Sequence, residues 1–193
     1  MPRLLTVAAL ATLLCAAPRI GSAAQIDGQD FADTLTADGQ PFALHGVGHL
    51  IYRAFFTAYC SALYLAPGGA VADVLKDVPK RLELHYFYAI DAGDFVKATN
   101  ATIGDNISAA TLAAIRPQVD ALNKLYVDIK AGDRYALTYV PKTGTELSRN
   151  GTALGTVPGA DFAQALFAIW VGEKNIDARL RTSLLTKAAP AKP

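Results

Sequence analysis

An alternating stretch at residues 80–90 constrains the fold more than any other feature of the 193-residue chain. With a period of two, one face of this stretch carries apolar and aromatic side chains and the other face is mixed. The two sets are Leu82, Leu84, Tyr86 and Tyr88 on the first face, and Glu83, His85, Phe87 and Ala89 on the second. A strand of this kind belongs in a sheet that has a core on one side and a cleft or helices on the other.

Further strands are predicted on both sides of this stretch. Turn signals at Asp38-Gly39 and Asn150-Gly151 indicate two hairpins. Residues 49–65 are dense in aromatic, strand-favouring side chains. Additional short strands are expected at residues 135–140, 145–148 and 152–156.

Helices are predicted in two places. Between residues 91 and 129 the apolar side chains recur at three and four residues, with Asp94 and Ser108 as predicted helix caps. A helical hairpin is expected from residue 159 onward, with Asp177 capping its second helix. Strands, helices, strands and helices in this order predict an α+β fold, in which helices pack on one face of an antiparallel sheet.

The amino terminus predicts export. Arg3 is followed by an uncharged apolar run at residues 4–17, and small residues lead up to Ala23 and Ala24. This pattern is typical of a signal peptide over residues 1–23, with cleavage after Ala23 or Ala24. The run of 14 residues is shorter than the roughly 20 that a membrane span needs. We therefore expect a periplasmic or secreted protein without a transmembrane anchor.

The mature chain is predicted to be one domain over residues 24–187, followed by a disordered tail at residues 188–193. Loss of Arg3 and Arg19 with the signal peptide leaves 16 basic residues against 17 acidic ones, a formal charge of −1. A nearly neutral chain has no electrostatic reason to bind nucleic acid. The sequence defines no oligomeric state.

The cysteine and histidine content predicts neither a disulfide nor a metal site. Cys60 is the one cysteine of the mature chain, so the hydrophobic core must hold the fold together. His45 and His49 lie on an extended segment, roughly 13 Å apart, which is too far for one ion. A metal site that the fold assembles from distant residues, including His85, is the remaining alternative. No cofactor-binding motif is present.

Four groups of residues resemble the chalcone isomerase-like family, particularly its exported bacterial branch. They are Gly46-Val47-Gly48 with Phe56-Thr57-Ala58-Tyr59, Lys80-Arg81-Leu82-Glu83-Leu84, Gly132-Asp133 with Asn150-Gly151, and Gly159-Ala160-Asp161-Phe162 with Ile169-Trp170-Val171-Gly172. The resemblance implies an open-faced β-sandwich, with a cleft between a large antiparallel sheet and its helices.

The resemblance also implies that the chemistry of the family's enzyme is missing. Chalcone isomerase uses a strand arginine and a helix tyrosine to stabilise the developing anion. In this sequence the arginine position falls on Leu50 or Ile51, and the tyrosine position falls near Phe95. A further Thr or Ser position falls on Ile169. No catalytic residue is predicted.

A ligand site is predicted instead. If residue 51 faces the cleft, the period of two directs His49 and Arg53 the same way. Arg53 would suit an anionic head group by bidentate pairing, although a solvated edge charge is the alternative interpretation. The candidate ligand-binding residues are His49, Ile51, Arg53, Tyr59 and Phe95, with core packing as the alternative role for Tyr59.

The leading hypothesis is a non-catalytic protein that binds a small apolar or amphipathic molecule such as a fatty acid. One alternative is an intramolecular lyase or isomerase with a rearranged site around His49, Arg53 and Tyr59. Another is an envelope protein that binds a partner through the open sheet face.

Overall fold

The computed structural model describes residues 23–52 and 56–189. Residues 1–22 of the predicted signal peptide, the candidate residue Arg53, and residues 190–193 of the predicted tail lie outside the described residues. Within the described ranges, no helix combines the length and apolar character that a membrane crossing requires.

The described residues form nine strands, four α-helices and a short 3-10 helix. The strands are β1 (Ala23–Ile26), β2 (Gln29–Ala32), β3 (Thr34–Ala37), β4 (Gln40–Tyr52), β5 (Phe56–Leu65), β6 (Lys80–Tyr86), β7 (Arg134–Val140), β8 (Gly144–Arg149) and β9 (Thr152–Val157). The helices are α1 (Ala92–Asn106), α2 (Ala109–Asn123), α3 (Ala160–Val171) and α4 (Ala178–Leu185), and the 3-10 helix is Val71–Asp73.

Strands β3 to β9 form one antiparallel sheet in which each strand pairs with the next along the chain. Strands β1 and β2 form a separate hairpin. The predicted turns are confirmed, since Asp38, Gly39, Asn150 and Gly151 all have positive φ angles. Because α1 and α2 are inserted between β6 and β7, and α3 and α4 follow β9, the predicted α+β fold is confirmed.

The two faces of the sheet bury different sets of side chains. We call the face that carries Leu63, Leu82 and Leu84 the helix face, because it packs against the helices in the main core. We call the opposite face the hairpin face, because Phe31 of β2 packs there in a second apolar cluster. The other buried members of that cluster are Phe42, Cys60, Ala62 and Tyr64. The alternation predicted for residues 80–86 is therefore confirmed.

A buried ionic network lies on the hairpin face. The Arg81 guanidinium donates to the Glu83 carboxylate at 3.0 and 2.9 Å, and Arg134 donates to the other oxygen of Glu83 at 3.2 Å. Arg134 also lies over the ring of Phe31, 4.6 Å from its centroid, and donates to the backbone oxygen of Asp30 at 3.3 Å. The ion pairs supply the partners that buried charges require. The contacts of Arg134 with Phe31 and Asp30 attach the β1–β2 hairpin to the sheet.

The helix caps were only partly predictable. Ser108 caps α2 and accepts a hydrogen bond from the Thr111 amide at 3.1 Å. Asp177 caps α4 through the Leu180 amide at 2.8 Å. Asp94 does not cap α1, since that helix begins two residues earlier, at Ala92, whose amide donates to the Asp128 carboxylate at 2.8 Å.

Helix α4 packs directly on the backbone of β4. A Cβ atom at Gly48 would lie 2.8 Å from Ser183 Cβ, and one at Gly46 would lie 2.7 Å from the Ser183 carbonyl oxygen and closer still to that of Leu184. Glycine is therefore required at both positions by close approach. The contact continues past the helix, where the Ala188 amide donates to the His45 carbonyl at 2.6 Å.

We predict that Gly46→Ala lowers the free energy of unfolding by about 2–3 kcal/mol, because backbone carbonyls cannot rotate away as a side chain can. Gly104→Ala is the matched control. It lies within α1 with open space around its Cα, so alanine should stabilise the helix by up to about 1 kcal/mol. Chemical denaturation measures both changes, and equal effects of the two substitutions would contradict the contact.

Candidate functional site

An aromatic cluster occupies the helix face between the sheet and α1. The ring of Phe95 lies 5.5 Å from that of Tyr86, 5.3 Å from that of Tyr126 and 5.2 Å from that of Tyr135, measured between centroids. Tyr59 lies 5.4 Å from Tyr86 in an edge-to-face arrangement. Such pairs add to the stabilisation that comes from burial alone.

Most polar groups of this cluster have protein partners. The Trp170 indole nitrogen donates to the Tyr59 hydroxyl at 3.0 Å. The Tyr126 hydroxyl shares a hydrogen bond of 2.9 Å with Thr99. The Tyr135 hydroxyl donates to the Val127 carbonyl at 2.7 Å and accepts from the Val127 amide at 3.0 Å.

An exposed group of aromatic side chains lies at the open end of the sheet. Tyr52, Phe56 and Tyr88 are 58%, 53% and 50% exposed, although large apolar side chains are usually buried. Together with Ala58 they line a cavity of about 240 Å³, which we call the aromatic mouth. Since Ala58 also packs against the main core, the mouth lies at the edge of the space between sheet and helices.

The predicted ligand-binding residues do not share one site. Tyr59 and Phe95 pack on the helix face, in or beside the main core. His49 lies on the hairpin face, opposite Cys60 of β5, and its Nδ1 pairs with the Asp27 carboxylate at 2.8 Å. Ile51 is 38% exposed and follows an irregularity in the pairing of β4 with β5. His49 therefore lies away from Tyr59 and Phe95. The ligand-binding role of these residues stays a prediction.

The positions that the resemblance aligns with the family's functional groups are apolar. Of the two alternatives for the arginine position, Leu50 packs against the main core and Ile51 is 38% exposed. Ile169 is buried within α3, and Phe95 is enclosed by tyrosine rings. None of these side chains can donate a hydrogen bond or carry charge.

Sequence reasoning missed most of the cluster and the whole aromatic mouth. The alternation of residues 80–90 placed Tyr86 and Tyr88 on one face, and this signal could have pointed to Tyr86 in the cluster and Tyr88 in the aromatic mouth. Tyr126 and Tyr135 are separated from β6 along the sequence by helices α1 and α2. Only tertiary packing brings them to Phe95.

His45 and His49 each have a hydrogen-bond partner, and His85 is buried. His45 Nε2 lies 3.1 Å from the Leu185 carbonyl oxygen. Burial lowers the pKa of His85, and the neighbouring Arg134 lowers it further. Among the described residues, no three His, Cys, Asp or Glu side chains gather in a way that could hold a metal ion.

A second cavity lies in the helical layer and shares no lining residue with the aromatic mouth. It measures about 480 Å³ and is open to solvent between the α1–α2 corner, α3 and the segment after α3. Its lining mixes apolar residues such as Ile107 and Ala165 with polar ones such as Gln164 and Glu173.

Lys80 is a fully buried cation on the helix face, and its role is structural. Its ammonium group donates to the carbonyls of Lys76 and Val78 at 2.6 and 3.3 Å, and it lies 4.7 Å from the centroid of the Tyr139 ring. The Tyr139 hydroxyl in turn donates to the Asp77 carboxylate. Lys80 therefore holds the segment before β6 against the sheet.

Burial lowers the pKa of Lys80 from 10.5 to about 8, against a smaller opposing effect of Asp77. Between these values the unfolded chain binds more protons than the folded one, so the free energy of unfolding should rise with pH. We predict that wild type gains up to about 3 kcal/mol relative to Lys80→Met between about pH 8 and 10. Lys76→Met, at an exposed lysine, should leave that pH dependence intact. If the free energy of unfolding changed with pH equally in wild type and Lys80→Met, the lowered pKa of Lys80 would be refuted.

An antiparallel sheet with helices on one face and aromatic side chains between the two layers defines an open-faced β-sandwich of the α+β class. The chain belongs to the chalcone isomerase-like family, whose model matches residues 23–186.

The fold is also shared with a solved structure. The crystal structure of a fatty-acid binding protein of Arabidopsis thaliana superimposes with a TM-score of 0.67 and 14% sequence identity. The similarity covers 82% of this chain and 92% of the Arabidopsis chain. No curated protein sequence gives a significant match. At this level of identity the structural comparison shows the fold alone.

Proposed function

We propose that the protein is a non-catalytic binding protein for a small apolar or amphipathic molecule, such as a fatty acid. We propose further that it works in the periplasm or after secretion. The observation that carries the first proposal is the aromatic mouth, because exposed aromatic side chains around a cavity indicate a ligand or interaction site.

The residues at the positions that the resemblance aligns with the family's functional groups support binding rather than catalysis. At the arginine, tyrosine and Thr or Ser positions this chain has Leu50 or Ile51, Phe95 and Ile169, and Leu50, Phe95 and Ile169 pack against or within the main core. These residues favour an apolar ligand and offer nothing to a developing charge. The fold shared with the Arabidopsis fatty-acid binding protein is consistent with such a role.

The enzyme alternative loses its proposed site. It required His49 and Tyr59 to act together with Arg53, but His49 lies on the hairpin face and Tyr59 on the helix face. The partner-binding alternative required an open sheet face. Part of that face is covered, because Phe31 and Phe42 are buried there.

Purification of the full chain, exported with its own leader and without detergent, tests both parts of the proposal. Native mass spectrometry followed by lipid extraction should release a small apolar molecule at stoichiometric level. The same spectrum reads the amino terminus, which we expect at Ala24 or Gln25. An apo mass, together with no binding of added fatty acids, would overturn the binding proposal. An unprocessed chain retained in the cytoplasm would overturn the location.

Phe56→Ser should weaken binding of the released ligand about tenfold, because loss of one aromatic contact removes about 1.4 kcal/mol or more of apolar burial. Ile176→Ser is the matched control, since Ile176 is 40% exposed but lies in the segment between α3 and α4. Ligand titration by fluorescence measures both. If the two variants bind equally well, the aromatic mouth is not the entrance.

A further inference from the structure

A further cavity lies at the end of the sheet opposite the aromatic mouth. Strand β5 runs from Phe56 at the mouth to Leu65, and Leu65 pairs with Lys80, the first residue of β6. The segment that connects these two strands forms one wall of the cavity, and residues of α3 and α4 form the other. The cavity measures about 220 Å³ and shares no lining residue with the mouth.

The lining of this cavity is aliphatic except for Arg181. Val74 and Val171 are buried members of the main core, so the cavity reaches down to that core. Val71, Leu75 and Leu185 pack against the same core and are half-buried. Since a cavity of about 150 Å³ can accommodate benzene, this one has room for a phenyl ring or a branched alkyl group.

Arg181 of α4 brings a positive charge to this apolar lining. Its Nε donates to the Val171 carbonyl oxygen at 3.1 Å, which orients the guanidinium group. The N–H groups on its two Nη atoms remain available, because no acidic side chain within the described ranges forms an ion pair with Arg181. The carboxylates of the adjoining segments are engaged elsewhere, since Asp73 pairs with Lys76 at 2.6 Å and Asp177 caps α4.

We propose that this cavity is a second ligand site, which binds a small carboxylic acid that carries an aromatic or branched aliphatic group. The apolar group packs against Val74, Val171 and Leu185, and the carboxylate pairs with the two Nη atoms of Arg181. The two oxygens of a carboxylate match the planar fork of a guanidinium group. A single cation balances a single negative charge, which disfavours a doubly charged phosphate monoester. The site is separate from the aromatic mouth, so the inference does not rest on the proposed function.

The test titrates the purified exported protein, labelled with nitrogen-15, with benzoate and with benzamide at neutral pH. The two ligands share the ring and are similar in size, but only benzoate carries a charge. We expect both to shift the backbone amide signals of Val74, Leu75 and Val171, because these residues line the cavity. Benzoate should bind more tightly than benzamide, since only the carboxylate pairs with the guanidinium group.

Arg181→Gln should weaken benzoate binding about tenfold and leave benzamide unchanged. Arg179→Gln is the matched control, because Arg179 is an exposed arginine of the same helix that does not line the cavity. Ala72→Phe tests the cavity itself. Ala72 is exposed at its rim, so a ring at this position should fill the space and abolish binding of both ligands. Thermal unfolding verifies that each variant is folded.

Several results would overturn the inference while leaving the function proposed for the aromatic mouth intact. They are equal affinities for benzoate and benzamide, a benzoate affinity that Arg181→Gln does not change, and unshifted cavity signals at millimolar benzoate. Benzoate could also shift the signals of Phe56 and Tyr88 instead and lose this effect in Phe56→Ser. That result would assign the acid to the aromatic mouth and reject the second site.

Discussion

Burial of α3 is the interaction on which the arrangement of the other elements depends. Eight of its 12 residues are buried, including Phe162, Leu166 and Phe167, so the helix is apolar around most of its circumference. A helix of this kind must be enclosed on several sides. The sheet encloses it on one side, and α1, α2 and α4 pack against the others. The space that remains on the helix face is filled by the aromatic cluster.

The sheet itself can support two layers because its central strands are two-sided. On β5, Leu63 and Leu65 belong to the main core while Ala62 and Tyr64 belong to the cluster under the β1–β2 hairpin. The hairpin face buries the charges of the Glu83 network. The helix face buries one further cation, Lys80, among side chains that are mainly apolar or aromatic.

Local sequence was sufficient to predict most of the strands and two of the caps. These features depend on residues within a few positions of each other. They are the alternation in β6, the turn at Asn150 and Gly151, and the caps at Ser108 and Asp177. The prediction at Asp94 was wrong because α1 begins at Ala92, whose amide finds a partner far away in the sequence, the Asp128 carboxylate. Equally, the strand expected to reach residue 90 ends at Tyr86, where its partner strand β7 begins at Arg134.

The sequence by itself determined the α+β class and the two-sided character of β6, because each follows from the type and spacing of residues along the chain. Which residues share a site was decided by tertiary structure alone. His49 and Tyr59 differ by ten positions and lie on neighbouring strands, yet the sheet separates them because their side chains project from opposite faces. Tyr59 and Tyr86 are brought together by the pairing of β5 with β6, and the packing of α3 against the sheet adds Trp170.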